Sequence, residues 1–127
     1  MSVRFESENR PVLGEDIVWK AAAIFSDGTI KSLEGATIWL GIKEDADDTD
    51  EEAVLLLNSE DNPDNFVVTN AVAGLYTITI FVEDQSSIKD TEQYFIEVKI
   101  EFEDGERKVH GYDKIKFAPS IVDTLLP

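Results

Sequence analysis

Cysteine is missing from the 127-residue sequence, which excludes disulfide staples and thiolate metal sites. Histidine is nearly as scarce: His110 is the single one, leaving little material for zinc centres or for a nucleophile–base relay. Basic residues are few as well, 11 Lys and Arg against 27 Asp and Glu, for a net charge of −16. A field of that sign repels phosphate backbones and anionic headgroups, so neither a nucleic acid nor a membrane is expected as partner. No apolar run approaches the roughly 18 residues that a membrane helix needs. The first twenty residues also lack the apolar stretch of a secretory signal. These absences predict a soluble protein made in a cytoplasm.

What is present is a hydrophobic share of 43%, enough to build a core in a chain of single-domain length. The dominant period is two rather than 3.6. In "YFIEVKIEF", Tyr94, Ile96, Val98, Ile100 and Phe102 face one way; Glu97, Lys99 and Glu101 face the other, with Phe95 as the large apolar exception. Tyr76, Ile78, Ile80 and Val82 alternate in the same manner, as do Ile38, Leu40 and Ile42, with Trp39 opposite. Ile17, Trp19, Ala21, Ala23 and Phe25 form a fourth set. Shorter strand-like runs lie at Ala53–Leu57, Phe66–Thr69 and Ile115–Phe117, with Arg107–His110 pairing near the last. Asp27-Gly28 and Asp104-Gly105 mark turns, and "EDNPDN" at 60–65 marks a loop. Asp84–Gln93 has room for one helical turn, capped by Asp84 or Ser86. About seven strands at a spacing of roughly 8–12 residues predict an all-β, two-sheet antiparallel sandwich.

The most conspicuous local feature is "KEDADDTDEEAVLLL", Lys43 to Leu57. An EF-hand fails on spacing: with Asp45 first, Asp50 stands where glycine is needed and Leu56 where glutamate is needed. A looser cation site from Asp45, Asp47, Asp48 and Asp50, joined by Asp61 or Asp64, is a weak candidate, and no metal is expected. The plainer reading is a solvated connection between two strands. His110, with Asp113 three residues on, is the sole candidate base; a histidine this close to a turn is expected on the surface. With so many carboxylates, some acid pair always exists, so pairing carries no information. The expectation is therefore no catalytic residue, no enzyme activity and no cofactor. Trp39, out of phase with its core-facing neighbours, is read as a partner contact, with core packing and sugar stacking as alternatives. The apolar tail, with Ile121, Val122, Leu125 and Leu126, either folds back on its own domain or docks on a neighbour.

Taken in order, several stretches resemble a domain of tailed-phage virion proteins, seen in baseplate upper proteins and related tail proteins. The resemblance is carried by Gly14-Glu15-Asp16 before the first strand and by the Asp27-Gly28 turn. It continues in the step Leu33-x-Gly35-Ala36-Thr37, in Ala73-Gly74-x-Tyr76, and in the long strand from Tyr94 to the turn at Gly105. It implies an immunoglobulin-like sandwich over 14–117, an arm or edge strand over 1–13, and a tail over 118–127. It further implies a non-enzymatic virion structural or accessory protein of the tail, baseplate or capsid, acting as an assembly or attachment module. Its partners would be other virion proteins, with self-association into a multi-copy assembly as a further option, and its location the virion. Many relatives carry this domain at the start of a longer protein; because this sequence ends after it, a stand-alone accessory is expected rather than a fibre anchor. A carbohydrate-binding or host-adhesion module is the alternative. An acidic DNA mimic ranks lower, because the acids alternate along strands and gather in loops instead of lining one face.

Overall fold

The computed structural model describes residues 11–25 and 27–119, which form seven strands: β1 Ile17–Ala22, β2 Thr37–Lys43, β3 Leu55–Asn58, β4 Phe66–Asn70, β5 Leu75–Ile80, β6 Gln93–Glu101 and β7 Arg107–Lys116. They pair into two antiparallel sheets, ordered β1-β5-β4 and β3-β2-β6-β7. This is the order in which an immunoglobulin-like sandwich pairs its B-E-D and C′-C-F-G strands. The period-two pattern explains the burial. Ile38, Leu40, Ile42, Ile96, Val98 and Ile100 face inward from the larger sheet, and Tyr76, Ile78 and Ile80 from the smaller, with almost no surface left to water. Trp19, Ala21 and Phe25 pack partly buried against the same core, in phase with Ile17 and Ala23.

A second mark of the fold is local. Tyr94 stands at the start of β6, and its hydroxyl accepts the Lys89 amide N–H at 2.8 Å, the tyrosine corner that ties the E–F connection of such sandwiches. Burial pushes the Tyr94 phenol pKa up, so the hydroxyl stays protonated. Tyr94→Phe keeps the ring and loses the tie; it is expected to lower unfolding free energy by about 1 kcal/mol, read from urea denaturation at matched m-value.

The motif residues have structural duties. Gly14 (φ 94°) starts the approach to β1; its N–H donates to Gln85 Oε1 at 2.9 Å, while Gln85 Nε2 donates to the Glu15 carbonyl at 2.8 Å. Asp16 Oδ1 accepts the Val82 N–H at 3.1 Å. Leu33 closes the end of the core at 3% exposure, and Gly35 turns the chain into β2 with φ 70°. Pro11–Leu13 lies beside Ala118, with the Leu13 N–H donating to the Ala118 carbonyl at 2.9 Å and the Ala118 N–H to Pro11 at 2.8 Å.

Four expectations need correction. Val82 does not continue β5: a 3-10 turn spans Val82–Gln85. Asp84 does not cap that turn from in front; it sits inside it and accepts the Phe81 N–H at 3.0 Å. The run from Ala53 becomes a strand only at Leu55, because a 3-10 turn occupies Asp50–Glu52. Finally, Arg107–His110 and Ile115–Phe117 are not separate pieces: β7 runs unbroken through Arg107–Lys116, and its register to β6 slips once, between Val98↔Gly111 and Lys99↔Val109. The extra residue at that slip is His110.

Candidate binding site

The bulge decides what the single histidine does. An extra residue in one strand rotates its side chain out of the regular alternation, and here it turns His110 into the sandwich, leaving 2% of it exposed. The expectation of a surface histidine is thus overturned. The Ala22 carbonyl can only accept, so His110 Nε2 carries the proton and donates to it at 2.8 Å. Nδ1 is then the acceptor for the buried Tyr76 hydroxyl. Burial pushes the Tyr76 phenol up and the His110 imidazole down, so both stay neutral at neutral pH. This chain of bonds stitches β7 of one sheet to β1 and β5 of the other. Both ring nitrogens are occupied without Asp113, whose Oδ1 instead accepts the Lys114 N–H at 2.8 Å. A histidine sealed in the core with both nitrogens engaged is a structural link.

The outer face of the four-stranded sheet is different. Register places Trp39, Gly41 and Lys43 of β2 beside Lys99, Glu97 and Phe95 of β6. It sets Leu56 of β3 beside Gly41, and Tyr112 of β7 beside Glu97. Together they line a depression of about 360 Å³. Gly41 is its floor. That residue sits mid-strand with no positive φ, and a Cβ there would meet only Leu56 Cδ1, at an ordinary 3.7 Å. The backbone does not require glycine at this place, and glycine inside a strand marks a bulge or a site of close approach. Tyr112 stacks on Phe95 at 6.2 Å and 26°, with Lys114 Nζ 5.9 Å from the Phe95 ring centre. Tyr112 and Leu56 remain 53% and 44% exposed.

The charges around this depression are matched. Lys43 pairs with Asp50 at 3.0 Å, Arg107 Nε with Glu101 at 3.0 Å, and Lys99 with Glu97 at 3.9 Å. Lys43, Lys99 and Arg107 therefore balance Asp50, Glu97 and Glu101, and the lining is electroneutral on a chain whose net charge is −16.

Trp39 is where the phase argument put it, on the outer face, half-buried against the depression wall. No protein-family model matches the sequence, and a search of curated proteins finds no match. Among solved structures the chain is similar to murine CRIg, with 14% identity over 94% of this chain and 97% of that one, at a TM-score of 0.42. That likeness is too distant to bear on function.

The remaining sequence candidates scatter. The acidic run folds as the connection between β2 and β3. Its carboxylates serve the loop's own backbone: Asp48 Oδ2 accepts the Asp45 N–H at 3.2 Å, and Asp45 Oδ1 accepts the Asp47 N–H at 3.2 Å. Asp50 is taken by Lys43. Among the described residues no group of three or more His, Asp or Glu side chains is placed to hold a metal ion. Ile121, Val122, Leu125 and Leu126 lie outside the described residues. Sequence reasoning missed Gly41, Leu56 and Tyr112 as site residues. Phe95 carried a signal, since an aromatic out of phase with its strand's core face repeats what Trp39 shows on the neighbouring strand.

Proposed function

We propose that this protein is a non-enzymatic binding module, serving as a structural or accessory component of a tailed-phage virion in the tail, the baseplate or on the capsid. The observation that carries the binding half is the depression over Gly41: a strand interior that gives up a side chain, and with it stability, opens a concave aromatic surface that the fold itself does not need. The lone histidine is consumed as an inter-sheet link and takes no part in this surface. The virion half rests on the resemblance of Gly14–Asp16, Leu33–Thr37 and Ala73–Tyr76 to phage tail domains. Those residues build turns and core, so they argue for shared ancestry of a scaffold rather than for one shared ligand. In this reading the protein attaches to other virion proteins or presents the outer face of β3-β2-β6-β7 to what the particle meets.

Quantitative mass spectrometry of purified particles tests the virion half. The chain is expected in the particle at a fixed ratio to the portal and major capsid proteins. A ratio near capsid stoichiometry assigns it to the capsid exterior, and a copy number near that of the portal assigns it to the tail or collar. Its absence from particles that carry the gene would overturn the assignment.

A further inference from the structure

We infer that the depression over Gly41 is a saccharide site, taking one ring of an uncharged oligosaccharide; this rests on reading the face as a binding surface, and not on the virion assignment. Three features of the lining select that chemistry. The first is the aromatic wall. Trp39 on β2 and Tyr112 on β7 flank Glu97 and Lys99 of β6, and Gly41 beside them brings no side chain. A flat ring with a C–H face can therefore enter over Gly41 and contact apolar carbon.

The second is the polar complement. Glu97, Glu101 and Asp50 are acceptors only, while Lys43, Lys99 and Arg107 are donors only, and all six border the space. An occupant that displaces water must replace the hydrogen bonds that water gave these groups. An aliphatic wedge from a protein partner would leave three ion pairs without that compensation, at a desolvation cost that the apolar contact has to overcome. Hydroxyls, which donate and accept at once, satisfy both kinds of group without a charge of their own. A sugar ring carries hydroxyls on its edge and C–H groups on its faces, matching a site with charged rim and aromatic wall.

The third is charge. The lining is balanced, and the chain around it is strongly acidic. A phosphate, sulfate or sialic acid would find the three cations of the lining already paired and would approach against the field. A cation would have to break existing pairs. The electroneutral depression therefore favours an uncharged ligand. Its volume of about 360 Å³ lies near the lower end of small-molecule sites, roughly 300–1,000 Å³, which suits one ring held with its neighbours in solvent.

The test is a titration of the ¹⁵N-labelled full chain with uncharged trisaccharides of glucose, galactose and N-acetylglucosamine, beside sialyllactose and a sulfated trisaccharide. At least one uncharged sugar is expected to produce saturable amide and indole shifts centred on Gly41, Trp39 and Tyr112. Tyr112→Ala, at an exposed position, is expected to weaken that binding about tenfold, as truncating an aromatic anchor does. Gly41→Val, which fills the floor, is expected to abolish it while the remaining spectrum stays dispersed. No perturbation by any uncharged sugar would overturn the inference. So would equal or tighter binding of the charged sugars, or retention of binding in a folded Gly41→Val. None of these results changes the particle stoichiometry, so the saccharide site and the virion assignment stand or fall separately.

Discussion

Replacing His110 with alanine is expected to lower unfolding free energy by about 3–5 kcal/mol, from loss of the imidazole volume and one unmet buried hydroxyl. The side chain lies between the sheets with 2% exposure. Its removal leaves the Tyr76 hydroxyl without its partner, while the Ala22 carbonyl keeps the Ile24 N–H at 2.8 Å. Water entering the polar cavity recovers part of this cost. Tyr76→Phe removes one bond of the chain and leaves Nδ1 unmatched, for about 1–3 kcal/mol. Because the two side chains share a bond, the double variant should lose less than the sum of the single ones. Additive losses in urea denaturation would mean that the link has no coupling energy.

The same histidine sets a pH dependence. Burial holds its folded-state pKa below the ordinary 6.5, so the unfolded chain binds the proton more readily than the native one. Stability rises with pH wherever the unfolded state holds more protons. The contribution is thus complete above the unfolded value, and is lost as pH falls through it toward the lower folded value. The loss is at most about 1.4 kcal/mol for each pH unit in that window. Other acids titrate nearby, so the readout is a difference: between pH 7.5 and 5.5, wild type should lose more stability than His110→Gln. Equal losses would mean that the buried imidazole titrates freely in the folded protein.

His110 shows what is legible in the sequence and what is not. β2, β5 and β6 were legible because an unbroken alternation reports a face directly: Ile38, Leu40 and Ile42, or Tyr94 through Ile100, have one buried side and one wet side. In β7 the alternation breaks at the bulge. Val109 is exposed while His110 and Gly111 are both buried, so a period-two reading splits one strand into two fragments and leaves the histidine beside a turn. Such a slip is a property of pairing with β6, and no local residue pattern announces it. The binding face was partly legible for a related reason. Trp39 and Phe95 announced themselves by phase, each within its own strand. Gly41, Leu56 and Tyr112 become neighbours only through the order β3-β2-β6-β7, which is a long-range fact. The acidic run, loudest in the sequence, turned out to be a strand connection whose carboxylates satisfy its own N–H groups.

Alanine at Gly74 and alanine at Gly41 are expected to shift stability in opposite directions. Gly74 leads into β5 with φ 70°, a conformation that costs an L-residue about 1–2 kcal/mol. A Cβ there would also lie 3.2 Å from Ala23 Cβ, 3.2 Å from Ile30 Cγ2 and 3.3 Å from the Lys31 carbonyl oxygen. Ala23 is fully buried and its N–H donates to the Gly74 carbonyl at 2.7 Å, so the neighbours have little room to yield. Crowding of this kind adds about 1–3 kcal/mol. Gly74→Ala should therefore lose about 2–5 kcal/mol in all. Gly41 has neither problem: its φ is not positive, and the added methyl meets only Leu56 at 3.7 Å. Gly41→Ala should instead gain about 0.5–1 kcal/mol, because glycine in a strand interior loses more chain entropy on folding than alanine does. Thermal and urea denaturation of the two variants beside wild type read both signs. A stabilised Gly41→Ala means that the fold carries this glycine at a loss, and that the open floor over β2 is kept for what enters it. A destabilised one means that the glycine answers to the sheet itself, and the depression is then a by-product of its packing.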